Sequence, residues 1–305
     1  MKRFLHLSSL AIITLYLSVT VTSCSCEGQK NRVGNADSIK VDNKLMEDFS
    51  KSKLIFYSLP SPLETAMLIK KSGVSYNEGI LNPLANVSRY TTNKQMALNL
   101  GVYSADLSYT SLFDQTQTAM KYMNNAQKLA EGLGIMEAID KQTIQRLEEN
   151  MNNRDVVLEI ISESFMNSNS LLNENDRPAL AVMVLTGGWI EGLYLATTLT
   201  NGNMDNNRRL LDKIIYQKLS LFTVLNMLES YKGDNADIQQ LYDRMNDLKL
   251  IYDEVKIVNT SNVEASTDTE KRMTVIKADS ETFISKETFD KLCNKVKEIR
   301  SEFIS

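Results

Sequence analysis

The stretch Asp176–Thr200, DRPALAVMVLTGGWIEGLYLATTLT, is the longest apolar run beyond the N-terminus and contains Trp189, the single tryptophan. Asp176 or Asn175 is placed to cap a helix with Pro178 in its first turn, where a missing N–H costs nothing. The run then continues to the stop at Asn201-Gly202. Its length is close to the roughly 20 residues of a membrane span. Glu191 near its middle argues otherwise, because an ionised carboxylate at mid-bilayer costs at least ~2.5 kcal/mol. The Gly187-Gly188 pair and several threonines weigh the same way. The favoured reading is a buried core helix of an α-helical domain, with a membrane span as the lesser alternative.

Working outward, the rest of the chain also reads as helix. Four prolines and twelve glycines in 305 residues leave little for a turn-rich β protein, and no proline follows Pro178. Ser61 and Pro62 announce a helix running to about Lys71 and stopped by Gly73. A long one starts near Thr92. Further helices are expected near 113–131, 136–150, 154–168, 176–200, 205–231, 235–256 and 286–303. Ile214, Leu221, Leu225 and Leu228 keep to one face, as do Ile238, Leu241, Met245, Leu248 and Tyr252. The expected architecture is an all-α multi-helix bundle. Aligning Gly101 with Gly187 sets Tyr103 on Trp189 and Leu107 on Leu193, so two pseudo-repeated helical halves are a further possibility.

The expected organisation is a signal peptide at 1–23, a flexible tether at 24–44 and an all-α domain at 45–258. A polar linker at 259–285 (TSNVEASTDTEKR lies within it) follows, with an extended piece at Met273–Ile276. A C-terminal helix at 286–305 then packs back on the domain.

The N-terminus carries Lys2-Arg3, an apolar stretch from about Leu10 to Val21, and then Val21-Thr22-Ser23-Cys24. That tetrapeptide resembles the lipobox of bacterial lipoproteins, and the resemblance implies acylation of Cys24 with cleavage before it. A plain secretory signal cleaved nearby is the alternative. Ser25 is not aspartate, which favours the outer membrane over the inner one, facing either the periplasm or the exterior. Leu54–Ala66 (LIFYSLPSPLETA), Ala97–Tyr109 (ALNLGVYSADLSY) and Leu133-Gly134-Ile135 together resemble an uncharacterised family of lipid-anchored proteins from Bacteroidetes-type bacteria. The likeness spans about Phe56 to Ile135 and brings placement in the envelope but no chemistry.

Composition excludes several functions. His6, the single histidine, lies inside the signal segment, so a cleaved chain has none for triads, zinc sites or proton transfer. The formal charge of −4 falls by two, to near −6, when Lys2 and Arg3 leave with no acid. That is no footprint for nucleic acid. Cys26 and Cys293 are expected as unpaired or occasionally bridged thiols rather than a disulfide framework. No P-loop, GxGxxG or CxxC pair occurs, no cofactor is expected, and Asn201–Asn207 lacks the glycine and glutamate of a calcium loop. It reads better as a turn with Asp205 capping the next helix.

Asp106 and Glu191 are the acids most embedded in apolar helix. Facing one cavity they would form a paired-carboxylate acid/base site, whereas salt-bridged or capping they would be structural. Tyr103 and Trp189, with Tyr109 and Tyr194, are candidate walls of a pocket for a small ligand, although aromatic residues at helical spacing more often form core. The expected function is a non-catalytic binding or scaffolding module at the envelope, held to the membrane by its lipid and contacting an envelope protein or a small ligand. A carboxylate-dependent hydrolase using Asp106 and Glu191, or a purely structural role in envelope maintenance, are the alternatives.

Overall fold

Ser61 opens the first helix through a capping box: its Oγ accepts the Glu64 N–H at 3.1 Å and the Glu64 carboxylate accepts the Ser61 N–H at 2.8 Å. The computed structural model describes residues 61–204, 207–233, 235–268 and 273–305. These hold nine α-helices: α1 (Pro62–Lys71), α2 (Asn93–Leu112), α3 (Thr116–Gly132), α4 (Lys141–Glu149), α5 (Arg154–Glu174), α6 (Pro178–Leu199), α7 (Arg208–Glu229), α8 (Ala236–Asp253) and α9 (Lys286–Phe303). One hairpin, β1 (Lys256–Asp268) and β2 (Met273–Phe283), precedes α9. The fold is an all-α multi-helix bundle with a β-hairpin appended.

Two helices form its axis. α2 is buried on every face from Ala97 to Leu112, and α6 is buried continuously from Ala181 to Leu193. A helix buried all round must be wrapped by others. α6 packs against α1, α2, α5, α7 and α9, and α2 against α1, α3, α5, α6 and α9. Among the described residues α6 is the one helix long and apolar enough to cross a membrane, yet 83% of its apolar window is buried inside the bundle. The core-helix expectation for this segment therefore describes what the fold does with it.

The axis pair crosses glycine to glycine. A Cβ on Gly101 would stand 2.0 Å from the Val184 carbonyl oxygen and 2.5 Å from the Gly188 nitrogen, and one on Gly187 would stand 2.0 Å from the Leu98 carbonyl oxygen. Only residues without a side chain allow the two backbones to come this near. The matched Gly101 and Gly187 of the sequence alignment are the two sides of this contact, which accounts for the match without a duplication.

Several boundaries differ from expectation, two of them for one reason. Asp114 and Asp176 take left-handed φ angles of 60° and 56°. The Gln115 N–H reaches back to the Thr110 carbonyl and the Arg177 N–H to the Leu172 carbonyl, both Schellman closures. Asn175 and Asp176 therefore end α5, which runs to Glu174, and do not cap α6; Arg177 stands at that cap and makes no side-chain capping bond, its Nη1 donating instead to the Leu133 carbonyl at 2.6 Å. The expected helix at 136–150 is a 3₁₀ turn (Met136–Ile139) and then α4, started by the Asp140 carboxylate on the Thr143 N–H at 2.7 Å. Asn207, not Asp205, caps α7; Asp205 lies outside the described residues.

The expected polar linker at 259–285 is instead the antiparallel hairpin, paired from Lys256↔Phe283 to Asp268↔Met273 with an irregularity between Asn259 and Val263. Its sequence is rich in threonine and valine, β-branched residues that favour the extended backbone, and the extended piece expected at Met273–Ile276 lies within β2. The base is fastened to α7, where Arg208 Nη2 donates to the Thr282 carbonyl at 2.8 Å and Thr282 Oγ1 donates to Asp212 at 2.6 Å.

Thr92 caps the axial helix α2 through a second capping box with Gln95. Thr92→Ala is expected to cost about 1 kcal/mol. In urea the midpoint should fall with the slope unchanged. An unchanged midpoint would mean that α2 is held by packing alone.

Candidate functional site

The glycine crossing sets Asp106 on α2 and Glu191 on α6 side by side. Both carboxyls are wholly buried, and α9 brings Arg300 to them. Arg300 Nε donates to Glu191 Oε2 at 2.9 Å and Nη2 to Oε1 at 3.1 Å, the two-pronged geometry suited to carboxylates. Nη2 also donates to the Ile80 carbonyl at 3.2 Å, and the guanidinium lies 4.5 Å from the Tyr194 ring centroid. The backbone N–H of Asn82 donates to Asp106 Oδ2 at 3.0 Å. Asp106 Oδ1 is buried with no hydrogen-bond partner, and the Glu191 charge acts on this carboxyl. A proton held by Asp106 relieves that repulsion.

The electrostatics agree. Burial, with the Glu191 charge added, pushes the Asp106 carboxyl well above the usual carboxylate range. Burial also raises Glu191, but Arg300 opposes that rise directly through charge and hydrogen bond. Burial thus favours the protonated form of Asp106, while Glu191 has Arg300 as its counter-ion. This meets the condition under which buried charge is tolerated, since each member is paired and hydrogen-bonded.

Around this triad runs a polar network centred on Asn82. Its side chain is held by Tyr90, Asn86 and Asn99, and its carbonyl accepts from Tyr122 Oη at 2.9 Å. Tyr103 Oη donates to the Pro83 carbonyl at 3.1 Å and Asn125 to the Leu84 carbonyl at 2.8 Å. Asn99 Nδ2 and Tyr90 Oη donate to the carbonyls of Phe303 and Ile304 at 2.7 and 3.3 Å. The segment Glu78–Arg89 and the last turn of α9 are thereby stitched to the axis by side chains. Burial raises the phenol of each of Tyr90, Tyr103 and Tyr122, so they serve as neutral donors.

Of the four candidate pocket residues, the fold brings Asp106 and Glu191 together, with Tyr103 nearby in a tilted aromatic group with Tyr90 and Tyr122. Trp189 faces α7, where its Nε1 donates to Gln217 Oε1 at 2.9 Å. The cavities of 160, 430 and 430 Å³ found among the described residues are lined by other side chains. The carboxyl pair is thus sealed against solutes, and a general acid or base must come within hydrogen-bond reach of its substrate. Its chemistry here is that of a clasp joining α2, α6 and α9. Arg300 and Asn82 were not singled out from the sequence. A signal existed for Arg300: it falls on the core-facing stripe of α9 that Phe289, Leu292, Val296 and Phe303 define.

Among the described residues no three His, Cys, Asp or Glu side chains gather as a metal site. Cys293 is a free thiol that burial pushes up to about 11, which makes it a poor nucleophile. Cys24 and Cys26 lie outside the described residues.

Two larger cavities are open to solvent. One of 430 Å³ lies among α2, α8 and α9, rimmed by the ion pairs Arg244–Glu302 and Arg244–Asp247. The other, also of 430 Å³, lies where α2 ends, α3 starts, α4 ends and α5 starts. At its rim Arg154 grips Asp114 through Nε at 3.1 Å and Nη2 at 2.5 and 2.6 Å, and Lys70 lies 3.4 Å from the same carboxylate. These cations hold the Asp114 carboxyl below its usual range, Arg154 most of all. No family model, curated protein or solved structure matches the chain.

Proposed function

We propose that the chain is a lipid-anchored protein of the bacterial cell envelope, acting at the outer membrane as a non-catalytic binding or scaffolding module. The observation that carries the non-catalytic part is the sealing of Asp106 and Glu191 by Arg300: the acids best placed for proton transfer have no exposed surface. The anchoring part rests on Val21-Thr22-Ser23-Cys24 and on Ser25 after it. Two or more acyl chains on Cys24 hold a protein firmly, since each buried methylene contributes about 0.8 kcal/mol.

Cells expressing the full chain and fed an alkyne-bearing palmitate test the anchor. The wild type should carry label and sediment with outer membranes, while Cys24→Ala should carry none. Unlabelled wild type in the soluble fraction would overturn the anchor. The binding part is tested in the same cells by crosslinking. A discrete adduct should form equally with Asp106→Asn, because a neutral amide imitates a carboxyl that is already neutral. Loss of the adduct in that variant alone would implicate the carboxyl in activity.

A further inference from the structure

We infer that the outer groove between α7 and α8 is the interface of a two-fold symmetric dimer, in which α7 of one copy lies against α8 of the second. The inference goes beyond the binding reading above and holds whether or not Cys24 is acylated.

The groove follows from how the two helices meet. They are consecutive and pack antiparallel, with Tyr252 Oη donating to the Ile214 carbonyl at 2.9 Å. Lys218 Nζ donates to the Val255 carbonyl at 2.9 Å and so marks the side of α7 that α8 flanks. At about 100° per residue, Phe222 and then Leu219 follow Lys218 around α7 toward solvent. Tyr242 marks the matching side of α8, since Lys232 Nζ lies 4.0 Å from its ring centroid, and Leu250 stands about two turns further along that side. Leu219, Phe222 and Leu250 are 63%, 63% and 60% exposed, three of the six exposed large apolar side chains among the described residues. Scattered singly, such side chains need no account; gathered along one groove they mark a contact surface.

Charge names the occupant. α7 carries Arg208, Arg209, Lys213 and Lys218 against Asp212 and Glu229, a surplus of two positive charges. α8 carries Asp237, Asp243, Asp247 and Asp253 against Arg244 and Lys249, a surplus of two negative charges. Arg208 pairs with Asp212, while Arg209 and Lys213 enter no ion pair among the described residues and are left for a partner. A two-fold axis across the helices would set α7 on α7 and α8 on α8, like charge on like. An axis along the helices sets α7 of each copy on α8 of the other, and both contacts then join opposite charges. An anionic lipid surface answers the cations but is opposed by the acids of α8. A face as long as the 22 residues of α7 and two helices wide is about 30 Å by 20 Å, so two copies bury about 1,200 Å² in all, the lower end of stable interfaces.

Sedimentation equilibrium of the full-length protein in density-matched detergent tests the inference. The wild type should form dimers at about 1 to 100 µM, the affinity range of a face this size. Phe222→Glu, at an exposed position, should weaken the dimer at least ten-fold with an unchanged circular dichroism spectrum. Arg209→Glu with Lys213→Glu makes both helices acidic, and Asp243→Lys with Asp247→Lys makes both basic. Each of these variants alone should be monomeric, and their equimolar mixture should recover the dimer, because acidic helices then face basic ones at both contacts. A monomeric wild type, full dimerisation of Phe222→Glu, or a mixture that stays monomeric would overturn the inference. Dimerisation of the basic variant alone would set α7 on α7 and overturn it as well. In crosslinked cells an adduct of twice the chain mass belongs to this dimer, whereas an adduct with another protein that persists in Phe222→Glu belongs to the binding reading, so failure of one is separable from failure of the other.

Discussion

Replacing Arg300 with methionine should destabilise the protein by about 3–5 kcal/mol, the cost of leaving one member of a buried ion pair uncompensated. Domains of this kind have only about 5–15 kcal/mol in total, so the variant should melt far earlier or fail to accumulate. The cause is Glu191: its carboxylate has no exposed surface, and without the guanidinium no positive charge stands beside it. Adding Glu191→Gln removes the stranded charge and should recover about 2 kcal/mol, a coupling that a double-mutant cycle reads directly. A single Arg300→Met variant that loses less than 1 kcal/mol would mean that the clasp is not ionised as described.

Asp106 gives the contrasting result and a pH signature. Its folded pKa is raised, so between the unfolded value near 3.8 and that raised value the native state binds the extra proton. Stability therefore falls as pH rises through this window, because the native state must then surrender a proton or keep it against the bulk. In Asp106→Asn that contribution is gone. The variant should unfold with a flatter pH dependence above pH 4 and stay within about 1 kcal/mol of wild type at low pH. Identical slopes in the two proteins would place the proton elsewhere.

The second large effect is expected at the axis. Gly101→Ala puts a methyl group 2.0 Å from the Val184 carbonyl oxygen and 2.5 Å from the Gly188 nitrogen, both backbone atoms of a buried helix. Overpacking of this kind typically costs 1–3 kcal/mol, and here the rigid neighbours put it at or above the top of that range, about 3 kcal/mol. Gly187→Ala meets the Leu98 carbonyl at 2.0 Å and should behave alike. Gly233→Ala has open space and should stay within about 0.5 kcal/mol. Since α2 and α6 carry the clasp, separating them also weakens it, so Gly101→Ala and Arg300→Met should not add. Independent addition would show that crossing and clasp are separate.

The same pair shows what was legible beforehand. Faces repeat along a helix, so Ile214, Leu221, Leu225 and Leu228 on α7, and Ile238, Leu241, Met245, Leu248 and Tyr252 on α8, were identified from spacing and are all buried. Ser61-Pro62 and Thr92 are local signals and start α1 and α2 where the sequence placed them. The acids Asp106 and Glu191 stood out because polar residues inside apolar helix are conspicuous. Their partner did not, because Arg300 is one basic residue in a helix rich in them and its pairing crosses 109 positions. Asn82 lies in an irregular segment with no period to betray it. The hairpin was legible only in part: the extended piece expected at Met273–Ile276 lies within β2, but β-branched content is too weak a cue to show the pairing of the two strands.

The 109-position gap between Glu191 and Arg300 also has a meaning in time. Chains emerge at about 5–20 residues per second, so α6 exists for roughly 5–20 s before its counter-ion is made. Until α9 is made, Glu191 has no guanidinium to pair with, so α6 can enter the core only with that carboxyl protonated or still hydrated. The last helix of the chain thus completes the charge balance of the most apolar one.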